Sequence, residues 1–379
     1  MTTQLRAPAA AAAALLPFWL AACSGGASIP QPAGPSGANP SPLAREAVKI
    51  REFNDLPKYY DYYSAAAIAP GPQNTLWVTD YIDQDAGENA IVRIATSGKA
   101  TATYYYGGLT SEGSSLDSIT QGPDGAMWMA DGYNGQILRM TTDGTFTSYP
   151  VGNFYGPNCI TEGPDGALWF TATRGSGESE IGRITTTGSL KTYPAAGEPI
   201  GITAGPDGAL WYAEYAGDKI GRITTHGKIK EYSNGITAGS GPYSIAAGPH
   251  GALWFTEVTG ARIGRVTIKG QITEYAGPIA PTERPTGIAA GLDGAMWFTE
   301  FEFVDSYRVL ASKIGRITAD GRITQYSKID AQAEPTGITL GPDGNVWFVE
   351  SYTNRTGRIS FPNFPTTKKS SSKIMGGSR

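Results

Sequence analysis

Histidine and cysteine are scarce in this sequence, which has two of each in 379 residues: His226, His250, Cys23 and Cys159. Zinc sites draw their ligands mainly from clustered histidine and cysteine side chains. Four such residues, this widely separated along the chain, form no such cluster. The composition therefore argues against a His/Cys metal centre.

Concentrated positive charge is also missing. The formal net charge is −4, and no run of lysine and arginine interrupts the middle of the chain. Binding to a phosphate backbone needs a concentrated basic surface. We therefore expect no nucleic-acid partner.

Long apolar runs are limited to the N-terminus. The run Ala7 to Ala22 follows Arg6 and is too short for a comfortable membrane span, so it reads as an export signal. It ends at Leu20-Ala21-Ala22-Cys23, which resembles the lipobox of bacterial lipoproteins. We expect 1–23 to be a lipoprotein signal peptide, with lipid on Cys23 anchoring the protein to a membrane that faces the periplasm or the exterior. An ordinary signal peptide, with Cys23 incidental, is the alternative.

The segments that flank the folded part are poor in large apolar side chains. Residues 24–47, rich in Gly, Pro, Ser and Ala, predict a flexible tether, and 363–379 predict a disordered tail. The folded domain is expected over 48–362.

Helical periodicity is absent from this domain, and a repeat takes its place. Successive tryptophans are 51, 41, 42, 43, 43 and 50 residues apart, which indicates a unit of about 42 residues. Seven units follow from the seven tryptophans that lie outside the signal: Trp77, Trp128, Trp169, Trp211, Trp254, Trp297 and Trp347.

Each unit predicts four short strands. Between Pro199 and Tyr232, the turn sequences Gly205-Pro206-Asp207-Gly208 and His226-Gly227 separate runs rich in Ile, Trp, Tyr and Thr. Strands are expected near 200–205, 209–214, 219–224 and 228–232. Four antiparallel strands at this period predict an all-β, seven-bladed β-propeller, whose radial closure leaves only short sheet edges exposed.

The last unit lacks its fourth strand. After Arg358-Ile359 the chain runs into SFPNFPTTKK, whereas VKIREF, at 48–53, is a spare copy of that strand ahead of the first unit. We predict that the N-terminal strand completes the seventh blade and closes the ring.

Each unit also repeats one tryptophan and one arginine. The tryptophan is expected to pack between blades because it is large and flat. The arginines are expected to be structural, with a ligand role as the alternative: Arg93, Arg139, Arg183, Arg222, Arg265, Arg316 and Arg358.

The antiparallel order predicts one end of the ring where acidic residues gather. Three residues after each tryptophan stand Asp80, Asp131, Ala172, Glu214, Glu257, Glu300 and Glu350. Because carboxylates crowded at one mouth repel each other, they need partners. Pairs with the arginines joining blades are one possibility, and Mg²⁺ held by two or three of them is the other.

Insertions in units one, three and six open on the same end. The sixth carries Phe301, Phe303 and Tyr307, and further tyrosines stand at or near the equivalent strand ends at Tyr81, Tyr215 and Tyr352. An aromatic rim over polar groups suits a small molecule or a peptide, and loop packing is the alternative. His226 and His250 occupy turns at the opposite end, which leaves the mouth without an imidazole base and without a Ser-His-Asp triad.

The repeated P-x-G-I-T-x-G-P-D-G-A-L-W-F-T-E followed by K-I-G-R-I-T resembles the virginiamycin B lyases, also called streptogramin B lyases, over 48–361. The resemblance implies Mg²⁺-dependent opening of the ester ring of cyclic depsipeptide antibiotics by elimination, and so antibiotic resistance. Such chemistry needs a base for the α proton and a cation for the developing enolate.

The chain departs from the family where chemistry would occur. The family's histidines after the proline of units six and seven correspond to Thr286 and Thr336, and its tyrosine in unit one corresponds to about Ala66. Tyr243 fills the equivalent position of unit five. The resemblance implies catalytic roles for Glu334 and Glu350.

Threonine cannot accept a proton near neutral pH, and a general acid or base typically contributes about 10² to 10⁴ in rate. We therefore expect a monomeric, lipid-anchored binding protein with Tyr243, Thr286, Thr336, Glu257, Glu300 and Phe301 at its ligand site. An active Mg²⁺-dependent carbon–oxygen lyase using Glu334 or Glu350, and a protein-interaction scaffold, are the alternatives.

Overall fold

The strands of the molecule form seven four-stranded antiparallel sheets, as predicted. The computed structural model describes residues 48–54, 56, 65–83, 88–96, 103–105, 116–152, 155–173, 178–305 and 308–361. Each sheet is one blade of a β-propeller. Two single 3-10 turns, Pro72–Asn74 and Pro249–Gly251, are the helical elements in these ranges.

The inner strands of successive blades contact one another around the ring axis. They are β2 (Ala65–Gly71), β6 (Leu116–Gln121), β10 (Tyr155–Glu162), β14 (Pro199–Ala204), β18 (Pro242–Ala247), β22 (Glu283–Ala290) and β26 (Pro335–Leu340). The second strands are β3 (Thr75–Asp83), β7 (Met127–Asp131), β11 (Leu168–Thr173), β15 (Ala209–Glu214), β19 (Ala252–Glu257), β23 (Met296–Asp305) and β27 (Val346–Glu350).

The third and outer strands complete each blade. The third strands are β4 (Glu88–Ala95), β8 (Gln136–Met140), β12 (Ser179–Ile184), β16 (Lys219–Thr224), β20 (Arg262–Thr267), β24 (Arg308–Ile317) and β28 (Arg355–Ser360). The outer strands are β5 (Thr103–Tyr105), β9 (Phe146–Pro150), β13 (Leu190–Ala195), β17 (Ile229–Tyr232), β21 (Ile272–Tyr275), β25 (Ile323–Tyr326) and β1 (Lys49–Phe53).

The N-terminal strand closes the ring, as predicted. β1 pairs antiparallel with β28, in a register that runs from Lys49 opposite Ser360 to Phe53 opposite Thr356. Phe53 stacks on Trp347 with ring centroids 5.4 Å apart. A tyrosine of the outer strand takes this place in other blades, as Tyr232 does on Trp211 at 5.5 Å. The spare strand therefore reproduces both the pairing and the packing of the strand it replaces.

The tryptophans are buried between blades, as expected. Trp211 packs against Ile245, Leu253 and Phe255 of the next blade. The following residue, Tyr212, faces the preceding blade and lies over Gly221, where an added Cβ would stand 2.0 Å from the ring. The glycine of the repeated IGR sequence is therefore required by the aromatic ring that covers it.

Four of the repeated arginines, Arg139, Arg183, Arg222 and Arg316, are structural and pair with the turn aspartate of their own blade. Asp207 accepts a hydrogen bond from Trp211 Nε1 at 3.0 Å through Oδ1, and from Arg222 Nε at 2.7 Å through Oδ2. The guanidinium lies 5.9 Å from the Trp211 ring centroid. Asp124, Asp165 and Asp293 make the same two contacts in blades two, three and six.

The expected alternative of glutamate–arginine pairs between blades is wrong for these arginines. The turn aspartates lie at the end of each blade away from the second-strand glutamates, because a β-strand separates them. Because β15 and β16 are antiparallel, Arg222 lies opposite Trp211, near Asp207, whereas Glu214 lies opposite Lys219.

A threonine of the second strand also links neighbouring inner strands. Thr256 Oγ1 accepts a hydrogen bond from Ser244 N at 3.1 Å and donates one to the Thr286 carbonyl oxygen of the next blade at 2.8 Å. Thr171 and Thr299 do the same in blades three and six. The threonine of the repeated W-F-T-E sequence thus joins neighbouring inner strands by hydrogen bonds, and we call this link the threonine latch.

The predicted signal peptide, tether and tail, with Cys23, lie outside the described residues. Within the described residues, no helix is long and apolar enough to span a membrane.

Candidate functional site

One end of the ring, called here the open end, holds the start of each inner strand and the end of each second strand. Register fixes this placement, because Pro199 lies opposite Glu214, Pro242 opposite Glu257, and Pro335 opposite Glu350. The sequence prediction that these residues share one end is correct.

Seven equivalent positions, five of which follow a proline, surround the axis at this end. Each stands eleven residues before its blade's tryptophan: Ala66, Asp117, Asn158, Ile200, Tyr243, Thr286 and Thr336. The structure buries them all except Ala66, which is half-buried.

Asp117 was missed by sequence reasoning because Leu116 stands where five of the other blades have proline. Leu116 lies opposite Asp131, in the same register as the proline–glutamate pairs of other blades. Counting back eleven residues from Trp128, rather than searching for a proline, would have found it.

The hydroxyl groups of Thr286 and Thr336 form hydrogen bonds within their own blade and to the next one. Thr286 Oγ1 lies 3.0 Å from Thr299 Oγ1 and 3.4 Å from the Pro335 carbonyl oxygen. Thr336 Oγ1 lies 3.0 Å from Ser351 Oγ and donates to the Ala66 carbonyl oxygen at 3.2 Å. Both side chains are fully buried, so their hydrogen bonds serve the contacts between blades.

Tyr243 and Asp117 reach the open end from blades five and two. Burial and then the charge of Asp117 raise the pKa of the Tyr243 hydroxyl. The ring of Tyr215 meets Tyr243 edge-on, with centroids 6.3 Å apart and planes at 79°. Ile200 and Val258 pack in the same cluster. Tyr243, Tyr215, Ile200 and Val258 therefore form an aromatic and aliphatic surface at the open end.

The glutamates that end the second strands are buried inside the blades, so they do not form an exposed acidic mouth. Glu214, Glu257, Glu300 and Glu350 are fully buried, and burial is the main cause that raises the pKa of each to about 8. Neither carboxylate oxygen of the first three accepts a hydrogen bond of normal geometry from the described residues.

Further carboxylates act on the buried glutamates of the second strands. Glu231 raises the pKa of Glu214, and Glu274 and Asp218 raise that of Glu257. Glu52 of the closing strand does the same to Glu350. In blade two, Asp131 instead accepts a hydrogen bond from Gln136 Nε2 at 2.7 Å.

Glu334 occupies a strained backbone position at the open end. Its φ is +51°, where Gly156 and Gly241 have +63° and +62° in blades three and five. Strain of this kind concentrates at binding and active sites. The side chain is buried, Oε2 has no partner among the described residues, and burial raises its pKa to about 8.

The described carboxylates do not fit a magnesium site built from the protein alone. No group of three or more His, Cys, Asp and Glu side chains converges within the described ranges. Glu334 and Glu350, for which the resemblance implies catalytic roles, lie at the same end of blade seven: Pro335 lies opposite Glu350, and the Glu334 carbonyl oxygen accepts a hydrogen bond from Ser351 N at 3.1 Å.

The aromatic residues of the sixth blade form a packed hairpin beside the open end. β23 and β24 each extend to ten residues, and Phe301 is buried against Phe303, with centroids 5.0 Å apart at 75°. Arg284 lies 5.4 Å from the Phe303 ring centroid. Tyr352 is 48% exposed, and Tyr133, which the sequence analysis did not single out, is 68% exposed. Tyr307 and the side chain of Tyr81 lie outside the described part.

His226 and His250 lie exposed in turns at the opposite end of the ring, as expected. His226 belongs to the turn between β16 and β17, and His250 to the turn between β18 and β19. A blade length therefore separates each imidazole from Glu334.

Comparison with known proteins gives a consistent result. The model of the virginiamycin B lyase family matches residues 55–234 and 155–363. A streptogramin B lyase structure is 32% identical, covers 83% of this chain and 97% of its own, and has a TM-score of 0.69.

Two structures from Staphylococcus aureus agree. A selenomethionine-substituted virginiamycin B lyase is 32% identical, covers 83% of this chain and 100% of its own, and has a TM-score of 0.70. A catalytically inactive histidine-to-alanine variant with quinupristin is 31% identical, with the same coverage and a TM-score of 0.69. No curated protein sequence matches significantly.

Proposed function

Because this chain belongs to the virginiamycin B lyase family, we propose that it is an exported, lipid-anchored propeller that binds a ligand at its open end without the family's elimination chemistry. The anchor would be lipid on Cys23. The ligand would be a small molecule or a peptide, and the protein would act as a monomer.

The single observation that carries this proposal is the pair Thr286 and Thr336. The resemblance places histidines at these positions, and replacing one histidine by alanine accompanies inactivity in the Staphylococcus aureus variant. Here both hydroxyls are buried and bonded to Thr299, Ser351 and inner-strand carbonyl oxygens. Neither residue can take a proton near neutral pH.

The second candidate is an active lyase, and Glu334 favours it. In an elimination, a base takes the proton from the carbon next to a carbonyl, a carbon–carbon double bond forms, and the carbon–oxygen bond breaks to release a carboxylate. Glu334 has a strained, buried position and a pKa of about 8. Its carboxylate form would therefore become more abundant as the pH rises towards 8.

One experiment separates the two candidates. The purified protein is incubated with a streptogramin B antibiotic and Mg²⁺, with the Staphylococcus aureus lyase as the positive control. Elimination adds no water, so the linear product has the mass of the substrate and must be separated by chromatography before mass spectrometry.

We expect binding, measured by isothermal titration calorimetry, and recovery of the cyclic antibiotic. Turnover that Glu334→Ala abolishes would establish the lyase instead. The absence of both binding and turnover would contradict both candidates and would favour a protein-interaction scaffold.

A further inference from the structure

We propose that the lower end of the ring, which is the end opposite the open end, docks on an anionic lipid surface, so that the open end faces away from the membrane. The lower end holds the turns between inner and second strands and between third and outer strands. This inference rests on the proposed lipid anchor and adds the orientation of the protein on its membrane.

The direction of β1 fixes where the predicted tether joins the ring. β28 starts at the open end, because Arg355 lies opposite Glu350, and it ends at the lower end with Ser360. β1 runs antiparallel to β28, and Lys49 lies opposite Ser360. The chain that leads from Cys23 into β1 therefore reaches the ring at the lower end.

The length of the predicted tether favours the same orientation. As a flexible chain, residues 24–47 would have a root-mean-square end-to-end distance of about 27 Å. A six-residue strand such as β15 spans about 20 Å. A tether that brought the open end to the membrane would therefore run most of its mean reach along the side of a blade.

Exposed bases gather at the lower end. Arg322 is exposed in a turn of blade six, beside Asp320. The C-terminal tail follows β28 at this end and adds Lys368, Lys369, Lys373 and Arg379. Three exposed lysines of the lower end make no ion pair with the described residues: Lys49, Lys228 and Lys269.

The carboxylates of the lower end offset only part of this charge. In four blades the turn aspartate is paired with an arginine of its own blade, as Asp207 is with Arg222 at 2.7 Å. Asp143, Glu162 and Asp343 lie in blades two, three and seven, whereas the unpaired lysines of the turns lie in blades four and five. Positive charge is therefore concentrated on one side of the lower end.

The open end carries the opposite charge. Its bases Lys219 and Lys313 are already paired with Glu231 and Glu283. An anionic surface therefore attracts the lower end and repels the open end. Four further carboxylates of the open end make no ion pair within the described ranges: Glu198, Asp218, Glu274 and Glu302.

Two apolar side chains lie beside the bases of the lower end. Ile268 and Leu292 are 45% and 44% exposed, in turns of the neighbouring blades five and six. Other repeats have threonine or alanine at the first position and proline at the second. Ile268 directly precedes Lys269, so one turn offers an apolar and a basic side chain together, and this combination binds the interface of anionic membranes.

The open end also exposes large apolar side chains, at Tyr133, Leu310 and Tyr352. They lie at the end that holds the unpaired carboxylates, which anionic lipid repels. Substitutions at these positions therefore serve as matched controls for the lower end.

The first measurement is co-sedimentation with lipid vesicles. The mature chain, residues 23–379, carries Cys23→Ser, so that binding reports the protein surface without an anchor. The vesicles contain either phosphatidylcholine alone or equal parts of phosphatidylcholine and phosphatidylglycerol. The lower-end variants are Lys269→Glu and the double substitution Ile268→Ser with Leu292→Ser.

The matched variants change the open end in the same way. They are Lys328→Glu, at an exposed lysine after β25, and the double substitution Tyr133→Ser with Leu310→Ser. Melting temperatures confirm that every variant is folded.

We expect the phosphatidylglycerol vesicles to bind at least about tenfold more tightly than phosphatidylcholine alone, and added salt to weaken this binding. Lys269→Glu should weaken it about fivefold or more, because each base near an anionic surface contributes about that factor. The double substitution of Ile268 and Leu292 should weaken it about threefold or more. Both open-end variants should bind as the unsubstituted surface does.

The second measurement gives the orientation by energy transfer to an acceptor lipid in the same vesicles. A donor fluorophore is attached at Thr187→Cys, in an exposed turn of the lower end, or at Tyr133→Cys, at the open end. Cys159 is fully buried, and the chain without either substitution controls for its labelling. Transfer should be stronger from position 187 than from position 133.

Failure to bind anionic vesicles would overturn the docking surface. Equal weakening by the open-end variants, or equal energy transfer from the two positions, would overturn it as well. Incorporation of labelled palmitate into the wild-type chain and Cys23→Ser in bacterial cells judges the anchor separately, and the antibiotic titration judges ligand binding. The three proposals therefore fail independently.

Discussion

At the scale of the residue, one aspartate carboxylate joins a tryptophan and an arginine in four blades. Each oxygen has its own donor, at 3.0 and 2.7 Å for Asp207. In blade five His250 replaces the aspartate, and Trp254 Nε1 has no hydrogen-bond partner in the described part of the chain. The sulfur of Met296, from the next blade, packs there instead.

Asp207→Ala should lower the free energy of unfolding by about 1–3 kcal/mol, because it leaves a buried tryptophan N–H without an acceptor. His250→Ala is the matched control, since the exposed His250 makes neither contact, and should change stability by less than about 0.5 kcal/mol. Urea denaturation measures both. Equal effects of the two substitutions would show that the aspartate contacts contribute little.

Thr256→Val tests the threonine latch with almost no change in shape. The substitution leaves Ser244 N and the Thr286 carbonyl oxygen without their shared hydroxyl. We expect a loss of about 1–3 kcal/mol in unfolding free energy. Thr187→Val, at an exposed turn, should be nearly neutral; a neutral Thr256→Val would contradict the latch.

At the scale of the element, β1 comes from the N-terminal part of the chain but belongs to the blade that the C-terminal strands β26, β27 and β28 form. Besides its pairing with β28, it brings Glu52, whose Oε1 accepts a hydrogen bond from Asp330 N at 2.9 Å. Phe53 covers Trp347, and Arg358 lies 5.4 Å from the Phe53 ring centroid. Without β1, blade seven would lose an outer strand and the cover of its tryptophan.

Deletion of residues 46–54 should therefore lower the melting temperature by on the order of 10 °C, since several kcal/mol of packing and pairing are lost at once. Differential scanning calorimetry gives the value. Deletion of 24–45, which spares β1, should leave the melt unchanged. If both deletions gave the wild-type melting temperature, closure by β1 would not stabilise the ring.

At the scale of the whole molecule, the blades bury glutamates that ionise reluctantly. The pKa values of Glu214, Glu257, Glu300, Glu334 and Glu350 are each raised from 4.5 to about 8. The folded protein therefore binds more protons than the unfolded chain between these two values. The contribution of these glutamates to stability is fully present below about pH 4.5 and is lost as the pH rises through 8.

The aspartates of the turns act in the opposite direction. Hydrogen bonds from tryptophan and arginine outweigh burial and hold the pKa of Asp124, Asp165 and Asp207 below 3.8. Their contribution to stability is present above 3.8 and is lost as the pH falls further. Together the two sets place maximum stability at mildly acidic pH.

We expect the melting temperature to fall by several degrees between pH 5.5 and about pH 9, measured by calorimetry at constant ionic strength. Glu214→Gln with Glu257→Gln should flatten this dependence, because an amide does not ionise. Asp320→Asn, at an exposed turn, should keep the wild-type slope. A pH-independent melting temperature for the wild type would refute the buried-glutamate account.

The sequence by itself determined the blade number, the strand positions and the closing strand. Trp spacing, the turn at Asp207-Gly208 and the spare VKIREF strand are local patterns, and each repeat is one supersecondary unit whose pairing follows from its turns. Blade four shows this: strands expected near 209–214 and 219–224 are Ala209–Glu214 and Lys219–Thr224.

Only the tertiary structure decided what the polar side chains do. Arg222 meets Asp207, and not Glu214, because the strand return sets which groups are close in space. Glu257 and Glu300 are buried within blades because neighbouring blades and outer strands cover them. Thr336 of blade seven donates a hydrogen bond to the Ala66 carbonyl oxygen of blade one because closure of the ring brings these blades together. Burial and contacts between blades that are distant in sequence depend on closure of the ring. Local periodicity predicts that the ring closes, but it does not specify which side chains then come into contact.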